Sequence, residues 1–206
     1  MVDFAPGGLR YATVSLLASL AAVVVSPVAA VVGLATTGFV LAFYRDPDRQ
    51  VAPGGVASPA DGRVSVIRRD PDGRLRVGVY MSAADVHVNR APLSGTVEAV
   101  THRPGANRPA FSKDSDRNEQ VRVDCGAFDV VLVAGWFARR IHPYVEPGDA
   151  VERGDRIAHI SFGSRADVVL PTGFDEADLT VEEGDRVVAG QTMLAAEPGV
   201  ECRERA

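Results

Sequence analysis

Lysine is almost missing from this chain. Lys113 is the only one, so arginine carries nearly all the positive charge. That bias reads as genome base composition rather than as chemistry. Cysteine is scarce too. Cys125 and Cys202 form no C-x-x-C pair, which argues against a structural zinc site or a disulfide framework. The four histidines, His87, His102, His142 and His159, form no H-x-H, so a zinc peptidase of the glycine-rich β type is disfavoured. Aromatic residues make up only 6%, and a net charge of −5 argues against a nucleic-acid partner. Charge itself is absent over one long stretch: no Asp, Glu, Lys or Arg stands between Arg10 and Arg45.

That stretch is too long for a core helix of a soluble domain and long enough for a membrane element. One crossing takes about 20 residues, so a single helix over 11–44 would overshoot. Ser26-Pro27 lies near the middle and predicts a break. Two short helices, about 12–25 and 28–44, then form a hairpin, either spanning or re-entrant. Arg10 at one end and Arg45 and Arg49 at the other place both ends in the cytoplasm. A signal peptide fits poorly, because its apolar core runs to about 7–15 residues. Residues 1–50 are thus expected to anchor the protein to the cell membrane, with 51–206 on the cytoplasmic side.

From Val51 onward, short Val-rich runs alternate with Gly, Pro, Asp and Ser turns. Residues 63–67 and 75–80, separated by Asp70-Pro71-Asp72-Gly73, predict a hairpin; 120–124 and 130–133 predict another pair. No later segment keeps a helical period over three turns. The expected fold is mainly β. Internal repeats refine it. Ser58-Pro59-Ala60-Asp61-Gly62-Arg63-Val64 recurs as Ala91-Pro92-Leu93-Ser94-Gly95-Thr96-Val97. A V-x-x-G-D-x-V-x-x-G pattern starts at Val145 and again at Val181. The pattern is similar to barrel-sandwich folds such as lipoyl and biotinyl carriers, in which the glycines are scaffold.

The run Ile160-Ser161-Phe162-Gly163-Ser164-Arg165-Ala166-Asp167-Val168-Val169-Leu170-Pro171 concentrates the chemistry. A Gly-Ser pair alone is an ordinary turn. Here 156–160 leads in as a strand and 168–170 leads out as another, so a hydroxyl sits at a sharp break. Gly163 has no side chain to block approach to its own carbonyl. Ser164 Oγ is placed to attack that carbonyl if the backbone is held strained.

Phe162-Gly163-Ser164-Arg165, with Asp167 and Leu170-Pro171, resembles the cleavage motif of the short-form, archaeal-type phosphatidylserine decarboxylase proenzymes. Five more segments fit that family in its order: 43–49, Ser58-Pro59-Ala60-Asp61-Gly62, 81–92 with Asp85-Val86-His87-Val88-Asn89-Arg90, 117–119 and 138–141. The resemblance implies self-cleavage between Gly163 and Ser164. A β chain, 1–163, and an α chain, 164–206, would stay together as a heterodimer, and residue 164 would become a pyruvoyl group. No metal is implied. The substrate would be a membrane phospholipid bearing phosphoserine, converted to the ethanolamine lipid with loss of CO2. An arginine-rich, lysine-poor chain suits an archaeal source, and then the lipid would be archaetidylserine.

Site roles follow from the same resemblance. Asp61 matches the family's Asp-Gly turn and is expected to support processing, although Asp before Gly is also a common turn residue. His87 matches the family's histidine and is expected to handle protons in cleavage, in decarboxylation or in both. Long-form members carry a second histidine where this chain has Arg90. Either His87 serves both steps or another base acts, and Arg90 is a candidate for the substrate phosphate or carboxylate. His142 and His159 match no motif.

Two other classes compete. A biotin or lipoyl carrier needs a lysine on a hairpin turn between half-repeats, and Lys113 lies in a polar loop instead. A non-catalytic, membrane-anchored barrel-sandwich domain is the alternative reading.

Overall fold

Ser26 and Pro27 end one helix and begin the next. The computed structural model describes residues 2–51, 53–105, 117–135, 141–161 and 163–198. Lys113, segment 138–140, Phe162 and Cys202 lie outside them. The chain divides into two units, Met1–Asp48 and Arg49–Ala206.

In the first unit, α1 covers Gly8–Ala22 and α2 covers Pro27–Phe43. Ser26 Oγ accepts from Ala29 N at 3.3 Å, and Pro27 takes the first helical position, where its missing N–H costs nothing. The first helix starts earlier than its charge pattern predicts. Gly7, at φ 87°, turns the chain into it, and the helix runs through Arg10. Short strands Val2–Phe4 and Arg45–Pro47 pair and close the base of the hairpin. Small and polar side chains such as Ala12, Ser19, Ala30 and Thr37 are buried, and most large apolar ones are exposed. Thr37 Oγ1 donates to Ser15 Oγ at 2.9 Å, and Ser19 and Thr37 are buried. A Cβ on Gly33 would fall 2.3 Å from Ser19 Oγ, so glycine sets how closely the helices approach. Val24 and Val25 at the tip are 91% and 87% exposed. No described helix is long and apolar enough to cross a membrane.

The second unit is β, with a short 3-10 turn at Glu176–Asp178. Its main sheet has seven antiparallel strands in the order Arg186–Val187, Gly62–Arg69, Leu75–Met81, Ser164–Val169, Asp129–Val133, Gln120–Asp124 and Ala99–Arg103. Both pairings predicted from the Val-rich runs are present. Every second residue faces the core: Val77, Val79 and Met81; Val121 and Val123; Val130 and Leu132; Ala166 and Val168. A smaller sheet orders Ile141–Pro143, Arg156–Ile160 and Val88–Arg90.

The repeats dock in pairs. Gly184 N donates to Val64 O at 2.8 Å and Val64 N to Asp185 O at 2.9 Å. Gly148 N and Val97 O, and Val97 N and Asp149 O, repeat those bonds at 2.8 and 2.9 Å. Each G-D aspartate closes its own turn: Asp149 accepts from Glu146 N at 2.8 Å, Asp185 from Glu182 N at 2.9 Å.

Candidate active site

Ser164 is the first residue of its strand, whereas the sequence pattern predicts that strand only from Val168. The small sheet delivers the chain through Arg156–Ile160; after Gly163 it enters the main sheet. Ser164 sits opposite Met81, and the alternation that buries Ala166 and Val168 turns its side chain to the core face. It is 0% exposed, and Oγ is buried without a hydrogen-bond partner among the described residues. Gly163 has φ 58°, a conformation glycine takes freely, and a Cβ there would meet nothing within 4 Å. Glycine is thus required by φ rather than by crowding.

His87 is buried, and its Nδ1 lies 2.9 Å from Asp85 O. A carbonyl only accepts, so Nδ1 carries a hydrogen, and Nε2 is buried. Asp85 is itself fixed: Oδ2 accepts from Ser82 N at 2.9 Å and Ser82 Oγ at 2.6 Å, and Oδ1 from Arg186 Nη2 at 3.1 Å. Ile160 N donates to His87 O at 3.2 Å, which ties the histidine to the strand that leads into Gly163-Ser164.

Asp61 precedes Gly62, whose Cβ would clash at 2.0 Å with Tyr80 O. Glycine there lets the strand start tight against Tyr80-Met81, so Asp61 stands at the same end of the sheet as Ser164, two strands away. Strand spacing separates those backbones by about 10 Å. The Asp61 carboxylate accepts from Arg49 Nη2 and from Ala189 N, each at 2.8 Å. No described hydrogen bond joins it to Ser164 or His87. Arg90 is buried and donates from Nη1 to Gly154 O at 2.9 Å, tying the histidine segment to the Gly154 turn.

On the opposite face of the Ser164 strand, Arg165 and Asp167 pair through Nε–Oδ1 at 2.6 Å and Nη2–Oδ2 at 2.9 Å. Arg76 Nη1 adds a contact of 3.1 Å to Asp167. Burial alone would lower the Arg76 pKa, but the Asp70 hydrogen bond and the Asp167 charge outweigh it and raise it. Arg165 and Asp167 are almost wholly buried, so breaking one partner would strand a charge. Cys125 is buried, and burial with the charge of Asp124 pushes its thiol up to about 11, out of the reactive range.

Motif matching passed over two further groups near this site. His159 pairs in register with Val88 and with His142, stacks on the His142 ring at 4.5 Å, and has Nδ1 2.8 Å from Tyr144 Oη. Burial first, then His142 and His87, lowers it to about 4. Asn89 is fully buried two residues after His87, a spacing that an extended segment places on one face. That alternation was the available signal.

A model of the family described as phosphatidylserine decarboxylase matches residues 36–195. The chain belongs to the phosphatidylserine decarboxylase family. A protein of Halobacterium salinarum named archaetidylserine decarboxylase proenzyme is 54% identical over 195 residues, covering 95% of this chain and 100% of the relative. A phosphatidylserine decarboxylase proenzyme of Streptomyces avermitilis is 49% identical over 80% of this chain and 77% of its own length. An archaetidylserine decarboxylase proenzyme of Methanosarcina acetivorans is 43% identical over 81% and 79%. No solved structure matches.

Proposed function

We propose that this decarboxylase-family chain is a proenzyme that cuts itself between Gly163 and Ser164. It then removes the carboxyl group of a phosphatidylserine-type lipid, giving the ethanolamine lipid and CO2. The buried hydroxyl of Ser164, directly after Gly163 and without a partner among the described residues, carries this reading. An unsatisfied buried hydroxyl costs about 1–3 kcal/mol, and such a cost calls for a functional reason. The site fits a pyruvoyl group because the group is residue 164 itself, already enclosed and held by the Met81 strand.

In this reading His87 Nε2 takes the hydroxyl proton as Oγ attacks the Gly163 carbonyl carbon. The C–N bond breaks, the nitrogen takes a proton, and Gly163 is left as an ester on Oγ. Loss of the residue 164 α-proton then expels Gly163 as a carboxylate. Water finally replaces the nitrogen, which leaves as ammonia. The pyruvoyl group supplies the electron sink for decarboxylation. Asp61, ion-paired with Arg49, supports processing from the end of its strand. The two chains stay joined because Ser164–Val169 pairs on both sides with strands of the other chain, and Gly184-Asp185 docks on Val64. The paired repeats support a barrel-sandwich fold.

The hairpin lies in lipid at the cell membrane. It is built inside out for water, with Ser19 and Thr37 buried and valines and leucines exposed. Its helices, 15 and 17 residues long, rise about 22 and 25 Å, short of a hydrocarbon core of about 30 Å. A re-entrant hairpin in one leaflet, with both ends in the cytoplasm, fits those lengths. The full-length match to the Halobacterium salinarum relative favours archaetidylserine as the substrate.

The test is decarboxylation of archaetidylserine and phosphatidylserine in vesicles, reading CO2 against ethanolamine lipid. Equal amounts of both products are expected. Cleaved protein that releases CO2 from neither lipid would overturn the assignment.

A further inference from the structure

Asn89 is 0% exposed, and its Oδ1 is buried with no hydrogen-bond partner among the described residues. Its Nδ2 faces Pro59 O at 3.5 Å and Met81 Sδ at 3.6 Å. Those two acceptors decide which way round the amide lies, since turning it over would set Oδ1 against the Pro59 carbonyl. Pro59 O is in turn anchored by Arg90 N at 2.9 Å. The acceptor end of Asn89 is therefore held in place with no donor to meet it.

This is not the habit of the fold. Buried Ser58 Oγ finds Ala60 O at 2.7 Å, and buried Asn118 Nδ2 finds Ala134 O at 2.8 Å. Ser164 Oγ is in the same condition as Asn89 Oδ1. Both residues flank Met81. Asn89 touches its sulfur, and Ser164 is its partner across the ladder, on the same face, where Cβ atoms of such a pair lie about 4.5–5.5 Å apart. An acceptor lacking a donor and a hydroxyl lacking a partner thus border one methionine.

We propose that Asn89 is a positioning residue of the self-cleavage site. Its Oδ1 accepts the hydrogen of the Ser164 hydroxyl and so holds Oγ beside the Gly163 carbonyl until the base takes the proton. An amide oxygen is too weak a base to keep that proton, so it orients the hydroxyl without competing with His87. The inference rests on the reading of Ser164 as the self-cleaving nucleophile.

The experiment follows the full chain from synthesis by intact mass, with and without hydroxylamine, which cleaves an ester and spares an amide. Asn89→Leu keeps the volume and removes the acceptor; Asn89→Asp keeps an oxygen at Oδ1. Asn89→Leu should form two chains at least tenfold more slowly than the unaltered protein. Its uncut fraction should resist hydroxylamine, because the attack has not occurred. Asn89→Asp should recover part of the rate, at a melting temperature no higher than that of Asn89→Leu. Equal cleavage in Asn89→Leu and the unaltered chain would overturn the proposal. So would an accumulating hydroxylamine-sensitive species, which would place Asn89 after the attack. Failure of the unaltered chain to cleave would instead remove the reading of Ser164 on which it rests.

Discussion

His87 Nδ1 meets the backbone carbonyl of Asp85 at 2.9 Å. A carbonyl, not a carboxylate, therefore orients the imidazole. The carboxylate of Asp85 acts one step back, gripping Ser82 and Arg186 so that its own carbonyl stays in place. That contact makes Nδ1 the donor and fixes the plane of the ring.

Replacement separates the roles of His87 and Asp61. His87→Ala is expected to remain a single chain, because Ser164 loses its base. Asp61→Asn keeps an acceptor for Ala189 N and leaves Arg49 without its counter-charge; slower but complete cleavage is expected. Cleaved, inactive His87→Ala would confine the ring to decarboxylation, and cleaved, active protein would remove it from the chemistry. Denaturing gels over time, paired with a CO2 assay, read both.

Acid should weaken the fold through His159. Its pKa falls from 6.5 to about 4, through burial first and then His142 and His87. Between those values the unfolded chain binds the proton and the folded chain does not, so stability falls as pH is lowered through that window. Below pH 4 the loss approaches roughly 3 kcal/mol. His159→Gln removes the titration, and its melting temperature should change less between pH 6.5 and 4.5. An unchanged slope would show that the ring is not held neutral.

Removing the hairpin tests its place in lipid. Residues 49–206 retain Arg49, the partner of Asp61. This shortened chain should stay in solution, cut itself, and lose more activity on bilayer lipid than on a short-chain phosphoserine lipid. Equal loss on both would mean that the hairpin shapes the site. Full bilayer activity would mean that the β unit reaches the membrane unaided.

Much of the fold is legible in the sequence. Ser26-Pro27 announced the helix break because capping and proline act locally. The Val-rich pairs 63–67 with 75–80 and 120–124 with 130–133 announced their ladders through period-two burial. The G-D repeats announced turns, since each aspartate closes its own. What stayed hidden depends on distant pairing. Ser164 joins a strand early because Met81 is its partner across the ladder. His159 gains its surroundings from Tyr144, fifteen residues away, and from the strand that carries Val88. Asn89 carries no mark of its missing donor until its neighbours are placed.

Intact mass of the purified full-length protein under denaturing conditions bears most directly on the central claim. Two chains are expected, one ending at Gly163 and one beginning at residue 164 with a blocked, amine-free terminus, while Ser164→Ala gives one uncut chain. A single chain of 21.8 kDa that nevertheless decarboxylates phosphoserine lipid would contradict it.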